Sequence, residues 1–114
     1  AAADLDGLGL TGARIATLRA LAEAVAGGAV DFDPAQGGAR FVERCTAVRG
    51  IGPWTAHYMA MRALCDSDAF PAADIVLRKV LRPGTTLSAR ELELASQAWR
   101  PYRAYAVLLL WRAA

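Results

Sequence analysis

Apolar residues recur every three or four positions along most of the chain, and no stretch alternates polar and apolar residues as a strand does. Thr11 is placed to cap a first long helix, which the glycine pair at 27–28 ends. The apolar stripe of this helix consists of Ile15, Leu18, Leu21 and Val25. A partial helix from Ala3 to Leu8 is predicted before it.

Five further helices are predicted after this one. The second follows Asp33-Pro34, with its secure part at about 39–48 and with Phe41, Cys45 and Val48 facing inward. The others cover about 53–64, 74–81, 88–99 and 101–112. The helix at 88–99 begins with the capping-box pattern Ser88-Ala89-Arg90-Glu91. The pattern therefore predicts an all-α, multi-helix bundle that forms a single helical domain over residues 1–114.

Composition agrees with one folded domain and excludes several classes of protein. The 114 residues are 55% hydrophobic and 21% charged, which is typical of a globular core and not of a disordered chain. The longest apolar run, 104–111, is far shorter than the roughly 20 residues of a membrane span. Two cysteines and one histidine cannot supply a disulfide framework, a four-cysteine cluster or a histidine-rich metal site.

The charge is unevenly distributed along the chain. The net charge is only +2, but the first 38 residues are acidic whereas residues 39–64 and the remainder are basic. Arginine supplies all of the positive charge except Lys79, which suits phosphate contact and is equally consistent with codon bias in a GC-rich genome.

The stretch Val48-Arg49-Gly50-Ile51-Gly52-Pro53-Trp54-Thr55-Ala56 carries the most information in the sequence. The two glycines permit positive φ, so the backbone can turn sharply between two helices while the aliphatic residue fills the gap between them. The amides of residues 50–52 and the free N–H groups of the following helix then form a cradle for one phosphate. An ordinary connection without a ligand is the alternative, and a bare Gly-x-Gly would favour it.

Three separated motifs occur in one order and spacing. The hairpin ending in Trp54-Thr55-Ala56 is followed by Phe70-Pro71-Ala72-Ala73-Asp74 and by the closing segment Trp99-Arg100-Pro101-Tyr102-Arg103-Ala104-Tyr105-Ala106. Over nearly the whole chain this combination resembles the C-terminal part of the helix-hairpin-helix (HhH-GPD) base-excision DNA glycosylases, specifically the AlkA-like 3-methyladenine DNA glycosylase II group. Arg49 departs from that pattern, since family members usually have proline before the glycine pair.

The resemblance implies an enzyme of DNA repair. It implies excision of alkylated purines of the 3-methyladenine type, flipped out of double-stranded DNA, by hydrolysis of the N-glycosidic bond. Members that also nick the strand have a lysine where this chain has Trp54, so the resemblance implies a monofunctional enzyme. A non-catalytic helix-hairpin-helix module that only binds the DNA backbone is the alternative, and a helical interaction domain without DNA is a weaker third.

The hairpin, at about 40–64, is assigned to the DNA backbone. Its predicted phosphate contacts are Arg49, Gly50, Ile51, Gly52, Trp54 and Thr55. The family hairpin often holds a monovalent cation through main-chain carbonyls, which by position are those of Thr46, Val48 and Ile51. The resemblance thus implies a structural Na+ or K+ there and no required cofactor.

Asp74 precedes an apolar helix, and on sequence alone it is best interpreted as an N-cap. The resemblance matches it to the family's catalytic aspartate. Both roles are compatible, because a carboxylate at a helix N-terminus stabilises the positive charge that develops on a sugar as its glycosidic bond breaks. Asp66 and Asp68, in the preceding loop, are interpreted as solvated charges.

Aromatic residues are predicted to line the base pocket. Trp54, Tyr58 and Met61 share one helix face, a pattern that more often belongs to a core. The resemblance instead assigns Trp54 and Tyr58, joined by Trp111, to the pocket, where electron-rich rings suit a cationic alkylated purine.

Neighbouring residues are given supporting roles. Trp99 and Tyr105 are assigned to packing, and Arg100 and Arg103 to contact with phosphate or a carboxylate. His57 is predicted to be a surface or supporting residue. Relatives carry more chain before this point, so a missing N-terminal domain or fusion partner is expected, as are a monomeric state and a cytoplasmic, nucleoid-associated location without membrane contact.

Overall fold

A computed structural model describes residues 5–114, and these residues form α-helices, short 3₁₀ turns and no strand. The helices are α1 (Gly12–Ala26), α2 (Gly38–Thr46), α3 (Pro53–Arg62), α4 (Ile75–Val80), α5 (Ala89–Ser96) and α6 (Arg103–Ala113). Single 3₁₀ turns at Pro34–Gln36 and Gln97–Trp99 precede α2 and follow α5. The predicted all-α fold is confirmed.

Side-chain caps fix the helix starts where the sequence predicts them. The hydroxyl of Thr11 accepts a hydrogen bond from the N–H of Arg14 at 3.2 Å, and the hydroxyl of Ser88 accepts one from Glu91 at 3.1 Å. Asp33 caps the 3₁₀ turn before α2 and not α2 itself, which starts only after Gly37. Each cap satisfies an N–H group that has no acceptor within its own helix.

The core lies between α2, α3, α4, α5 and α6. Phe41, Cys45 and Val48 are buried as predicted, and Ile51 in the α2–α3 turn is buried beside them. Large apolar side chains that are fully buried elsewhere in the described chain are Phe70, Leu77, Leu87, Leu92, Val30 and Val107. The core therefore holds the hairpin helices and the helices that follow them together.

Helix α1 packs differently from the prediction. It has no fully buried residue, and Leu18 and Val25 of the predicted stripe are exposed. Its inner face consists of Ala20, Leu21 and Ala24. Small residues face the hairpin because the two segments approach closely: a Cβ on Gly50 would lie 1.9 Å from Oγ1 of Thr17.

The predicted partial helix at 3–8 is wrong over residues 5–8, the part of it that the structure describes. Residues 5–10 form turns and bends, with Gly7 and Gly9 at positive φ, so the helical hydrogen-bond pattern does not form. Ala3 lies outside the described residues. Within 5–114, no helix is long and apolar enough to cross a bilayer.

Candidate active site and hairpin

The turn between α2 and α3 requires a positive φ at only one of its two glycines. Gly50 has φ of +92°, which favours glycine, whereas Gly52 has φ of −90° and ψ of 178°, an extended conformation open to other residues. Positive φ is thus used at one of the two predicted positions. Ile51 fills the gap between the helices with only 6% of its surface exposed, as predicted.

The phosphate cradle is smaller than the sequence suggests. The N–H of Ile51 donates to the carbonyl of Val48 at 3.1 Å, so this amide closes the turn and does not point outward. The main-chain N–H groups of Trp54 and Thr55 lie in the first turn of α3, where no carbonyl of the helix can accept them. Arg49 is exposed and forms no ion pair with any residue from 5 to 114. Ile51 is therefore removed from the predicted anion contacts, and the other positions stay predictions.

Asp74 occupies the N-cap of α4, as the local sequence predicts. Its Oδ1 accepts a hydrogen bond from the main-chain N–H of Leu77 at 2.9 Å. Only 8% of the residue is exposed, yet it lies directly beside Trp54, of which 41% is exposed. The carboxylate is thus covered by neighbouring side chains but remains at the edge of the fold.

Two indole rings contribute further donors to this carboxylate. Nε1 of Trp54, in the first turn of α3, donates to Oδ2 of Asp74 at 2.5 Å. Nε1 of Trp111, near the end of α6, donates to Oδ1 at 3.3 Å. No cation forms an ion pair with Asp74 in the described part of the chain. Its negative charge is therefore oriented by neutral groups and left uncompensated.

Trp54, Tyr58 and Trp111 form one aromatic cluster. Trp54 and Tyr58 stack with their ring centroids 5.2 Å apart and their planes 7° from parallel. Trp111 is tilted against both, at 6.4 Å from Trp54 and 6.2 Å from Tyr58. A base inserted between two rings needs about 7 Å, two contacts of about 3.5 Å. The structure brings the three predicted residues together but leaves no slot between them, so a base would stack on the exposed side of Trp54.

Tyr58 also has a cationic neighbour. The guanidinium of Arg62 lies 5.6 Å from the ring centroid of Tyr58. Trp54, Tyr58 and Arg62 follow one another at four-residue intervals, so Tyr58 is held between the other two along the surface of α3. Its ring therefore supports Trp54 and offers less stacking surface than predicted.

Asp68 contradicts the prediction of a solvated charge. It accepts hydrogen bonds from Arg103 at 2.9 Å and from Arg100 at 2.7 Å. Arg103, nearly buried, also donates to Glu93 at 3.0 Å and to the hydroxyl of Ser96 at 3.2 Å. Burial raises the pKa of Asp68, but the hydrogen bonds and charge of Arg103, with the charge of Arg100, outweigh it and hold that pKa below the ordinary value. Both arginines contact a carboxylate, one of the two partners that the sequence suggested.

This ionic cluster fixes the loop that leads to Asp74. The main-chain N–H of Ala104 donates to the carbonyl of Ser67 at 2.8 Å, and the Ser67 hydroxyl donates to the carbonyl of Pro101 at 3.0 Å. The loop that carries Asp74 is thereby attached to the start of α6, the helix that carries Trp111. Sequence reasoning missed this attachment, and its one signal was an acidic loop paired with two arginines more than 30 positions later.

The remaining sequence-based assignments concern Trp99, Tyr105 and His57. Trp99 packs edge-on against buried Phe70 with centroids 6.2 Å apart, as predicted. Tyr105 is 60% exposed, so its assignment to packing is wrong. His57 lies beside a polar cavity lined by Asp66 and Asp68, and burial lowers its pKa from the ordinary value, in keeping with a supporting position.

Among residues 5–114, no group of three or more His, Cys, Asp or Glu side chains is arranged to hold a metal. The candidate cation ligands are the main-chain carbonyls of the hairpin, which do not depend on such side chains. The carbonyl of Val48 already accepts the N–H of Ile51, and a carbonyl oxygen has a second lone pair. The monovalent cation at these carbonyls stays a prediction.

Comparison with known proteins gives several similar sequences, although no family model matches the chain. The chain is 40% identical over 100 residues to the probable bifunctional transcriptional activator/DNA repair enzyme AlkA of Mycobacterium tuberculosis, covering 87% of this chain and 20% of that protein. It is 39% identical over 72 residues to the DNA-3-methyladenine glycosylase of Bacillus subtilis, covering 57% and 23%. With DNA-3-methyladenine glycosylase 2 of Escherichia coli, identity is 36% over 62 residues, covering 54% and 21%.

One solved structure has the same fold. The Schizosaccharomyces pombe 3-methyladenine DNA glycosylase Mag1, in complex with abasic DNA, superposes with a TM-score of 0.80 at 27% identity, covering 91% of this chain and 54% of that one. The chain spans about a fifth of the length of the curated relatives it matches. The sequence similarity, the shared helical fold and the hairpin together lead to one conclusion: the chain is homologous to a part of the AlkA-like helix-hairpin-helix DNA glycosylases.

Proposed function

We propose that this protein is a monofunctional DNA glycosylase that hydrolyses the N-glycosidic bond of alkylated purines, of the 3-methyladenine type, flipped out of duplex DNA. One observation carries the proposal. Asp74 is a carboxylate with three hydrogen-bond donors and, within residues 5–114, no cationic partner, and it lies beside an exposed indole ring. A module that only binds the DNA backbone needs neither feature.

The chemistry follows from the charges involved. An N-alkylated purine is cationic, so when the bond from C1′ of the sugar to the base nitrogen breaks, its electron pair neutralises the base. The sugar then becomes oxocarbenium-like, and the Asp74 carboxylate stabilises that positive charge. Water adds its oxygen to C1′ and releases a proton, so the products are a free base and an abasic site.

Recognition of the base depends on the exposed side of Trp54. Because the three rings contact one another, a flipped base stacks on the outside of the cluster. Stacking of a cationic base on an indole face contributes about 0.5–2 kcal/mol. A neutral purine lacks this term and is also a poorer leaving group, so both effects favour alkylated bases.

Strand cleavage is not expected from this site. A Schiff base with the sugar requires an amine, and the position two residues after Gly52 holds Trp54. Lys79, the lysine of this sequence, belongs to α4. The proposed product is therefore an intact strand with an abasic site.

Duplex DNA is held at the hairpin in this proposal. The amides of Gly50, Gly52, Trp54 and Thr55 face a backbone phosphate, and Arg49 adds a positive charge. A Na+ or K+ ion on the carbonyls of Thr46, Val48 and Ile51 would orient the turn. Replacing these ions with tetramethylammonium at constant ionic strength is then expected to weaken DNA binding. The proposed setting is a monomer associated with the nucleoid in the cytoplasm.

One experiment separates the proposal from its alternatives. The full-length protein and its Asp74→Asn variant are incubated with methylated duplex DNA, and released bases are quantified. Release that depends on Asp74 supports the proposal. Salt-sensitive binding without release indicates a module that only binds the backbone, and absence of DNA binding contradicts both.

A further inference from the structure

The three donors around Asp74 are divided unequally between its two oxygens. Oδ1 accepts the main-chain N–H of Leu77 at 2.9 Å and the indole N–H of Trp111 at 3.3 Å. Among the residues that the structure describes, Oδ2 accepts only the indole N–H of Trp54. Each oxygen of a carboxylate has about two acceptor sites. Oδ1 is therefore fully used, whereas Oδ2 keeps one lone pair.

We propose that the indole N–H groups of Trp54 and Trp111 are positioning groups that fix the Asp74 carboxylate in one orientation, with the free lone pair of Oδ2 facing the reacting sugar. This inference rests on the proposed function. It assigns a further role to two residues that the sequence linked to the base pocket and, for Trp54, also to the phosphate at the hairpin. It also identifies Oδ2 as the carboxylate oxygen that stabilises the positive charge on the sugar.

The geometry of the surrounding helices supports this role. The three donors come from three different helices, since Trp54 belongs to α3, Leu77 to α4 and Trp111 to α6. Rotation of the carboxylate would break bonds to at least two of these helices at once. Its orientation is thus fixed by the fold and not by one flexible partner, as an electrostatic catalyst requires.

Neutral donors suit this task better than cations. An arginine in the place of either indole would orient the carboxylate equally well, but it would cancel most of the field acting on the sugar. An indole has a single N–H, no acceptor and no net charge. Two indoles therefore hold the anion in place and leave its charge available.

Trp54 also joins this arrangement to the DNA-binding hairpin. Its main-chain N–H lies in the first turn of α3, at the proposed phosphate, and its side chain donates to Oδ2. A phosphate bound at the hairpin would thus contact the same residue that orients the carboxylate. Binding of the DNA backbone and placement of Oδ2 are coupled through one residue.

The first experiment tests the hydrogen bonds themselves, without catalysis. The chain contains three tryptophans, and Trp99, which packs on Phe70, donates no indole hydrogen bond to any described residue. With 15N-tryptophan in the full chain, Asp74→Asn is expected to shift the indole N–H signals of Trp54 and Trp111 and to leave that of Trp99 in place. Unshifted Trp54 and Trp111 signals would overturn the inference.

The second experiment removes each N–H but keeps an aromatic ring. Trp54→Phe and Trp111→Phe are each expected to slow single-turnover base release by about tenfold, the effect of losing one hydrogen bond to a charged group. Trp111→Phe, which leaves the stacking face of Trp54 intact, is also expected to change DNA affinity less than twofold. Trp99→Phe is the matched control and is expected to keep the wild-type rate. If the two indoles served only in packing, their replacement would change the melting temperature and leave the rate of base release per folded molecule unchanged.

The outcomes distinguish this inference from the function on which it rests. If the wild-type protein releases no base, the proposed function fails and the catalytic role of the indoles fails with it. If release requires Asp74 but both phenylalanine variants keep the wild-type rate, the proposed function stands and this inference alone is overturned.

Discussion

Asp68 and Asp74 lie six positions apart on one stretch of chain, but their hydrogen-bond donors differ in charge. Asp68 is held by two guanidinium groups, Arg100 and Arg103, at 2.7 and 2.9 Å. Asp74 is held by two indole N–H groups and one main-chain amide, all of them neutral. Both side chains are held by hydrogen bonds, but in the described part of the chain only Asp68 has a counter-charge.

The difference separates a structural carboxylate from a candidate catalytic one. The ion pairs of Asp68 link its loop to α6 and cancel its field. The donors around Asp74 orient it and cancel little, so it can stabilise a nearby positive charge. The local density of hydrogen bonds alone does not distinguish the two residues, whereas the charge of the donors does.

Asp74→Asn is expected to have the largest effect on activity. Asparagine keeps the N-cap of α4 but its amide nitrogen cannot accept the indole N–H of Trp54, so the free energy of unfolding is expected to fall by about 1 kcal/mol. Base release is expected to fall about a hundredfold or more, because the charge that stabilises the sugar is gone. Single-turnover release from methylated duplex DNA measures the first effect and urea unfolding the second. Wild-type turnover in the variant would refute the assignment.

Asp68→Asn is the matched substitution and is expected to behave in the opposite way. Removing one partner leaves the nearly buried Arg103 with less compensation, which is expected to cost about 2–3 kcal/mol of stability. At a temperature where the variant stays folded, the rate of base release is expected to remain within a few-fold of wild type. A variant with full stability and no activity would reverse the two roles.

The pH dependence of stability sharpens the comparison further. Since the pKa of Asp68 is lowered in the folded state, its contribution is fully present above the ordinary aspartate pKa and is lost as the pH falls through the lowered value. The stability difference between wild type and Asp68→Asn is therefore expected to shrink between neutral pH and about pH 3. Urea unfolding of both proteins at several pH values measures it, and a constant difference would contradict the ion-pair account.

The smallest expected effect concerns the outer arginine. The side chain of Arg100 is 49% exposed and that of Arg103 only 9%. Arg100→Gln is expected to cost less than about 1 kcal/mol, as for other exposed pairs, whereas Arg103→Gln is expected to cost about 3 kcal/mol. Thermal or urea unfolding compares the two. Equal costs would show that burial does not separate the two arginines.

The features that sequence reasoning predicted correctly depend on neighbours within a few positions. The N-cap of Asp74 requires only the first turn of α4, and the placement of Trp54 and Tyr58 on one face of α3 requires only four-residue spacing on one helix. The burial of Ile51 follows from the turn that Gly50 permits. Such signals are contained in short stretches of sequence, and they were sufficient for the fold class and for the hairpin.

The features that were missed depend on segments distant in sequence. Asp68 meets Arg103 across 35 positions, and Asp74 meets Trp111 across 37. The inner face of α1 keeps Leu21 of the expected stripe, but its other residues are Ala20 and Ala24. The close approach of Gly50 to Thr17 favours small residues on this face. In each case the partner is chosen by tertiary packing, which periodicity along a single helix does not describe.

The most direct test compares two stable abasic-site analogues in duplex DNA, one with a cationic pyrrolidine in place of the sugar and one with a neutral tetrahydrofuran. If the Asp74 carboxylate faces the charge that develops on the sugar, the wild-type protein binds the cationic analogue more tightly. Asp74→Asn then loses this preference and Asp68→Asn keeps it. A preference that survives Asp74→Asn unchanged would contradict the account.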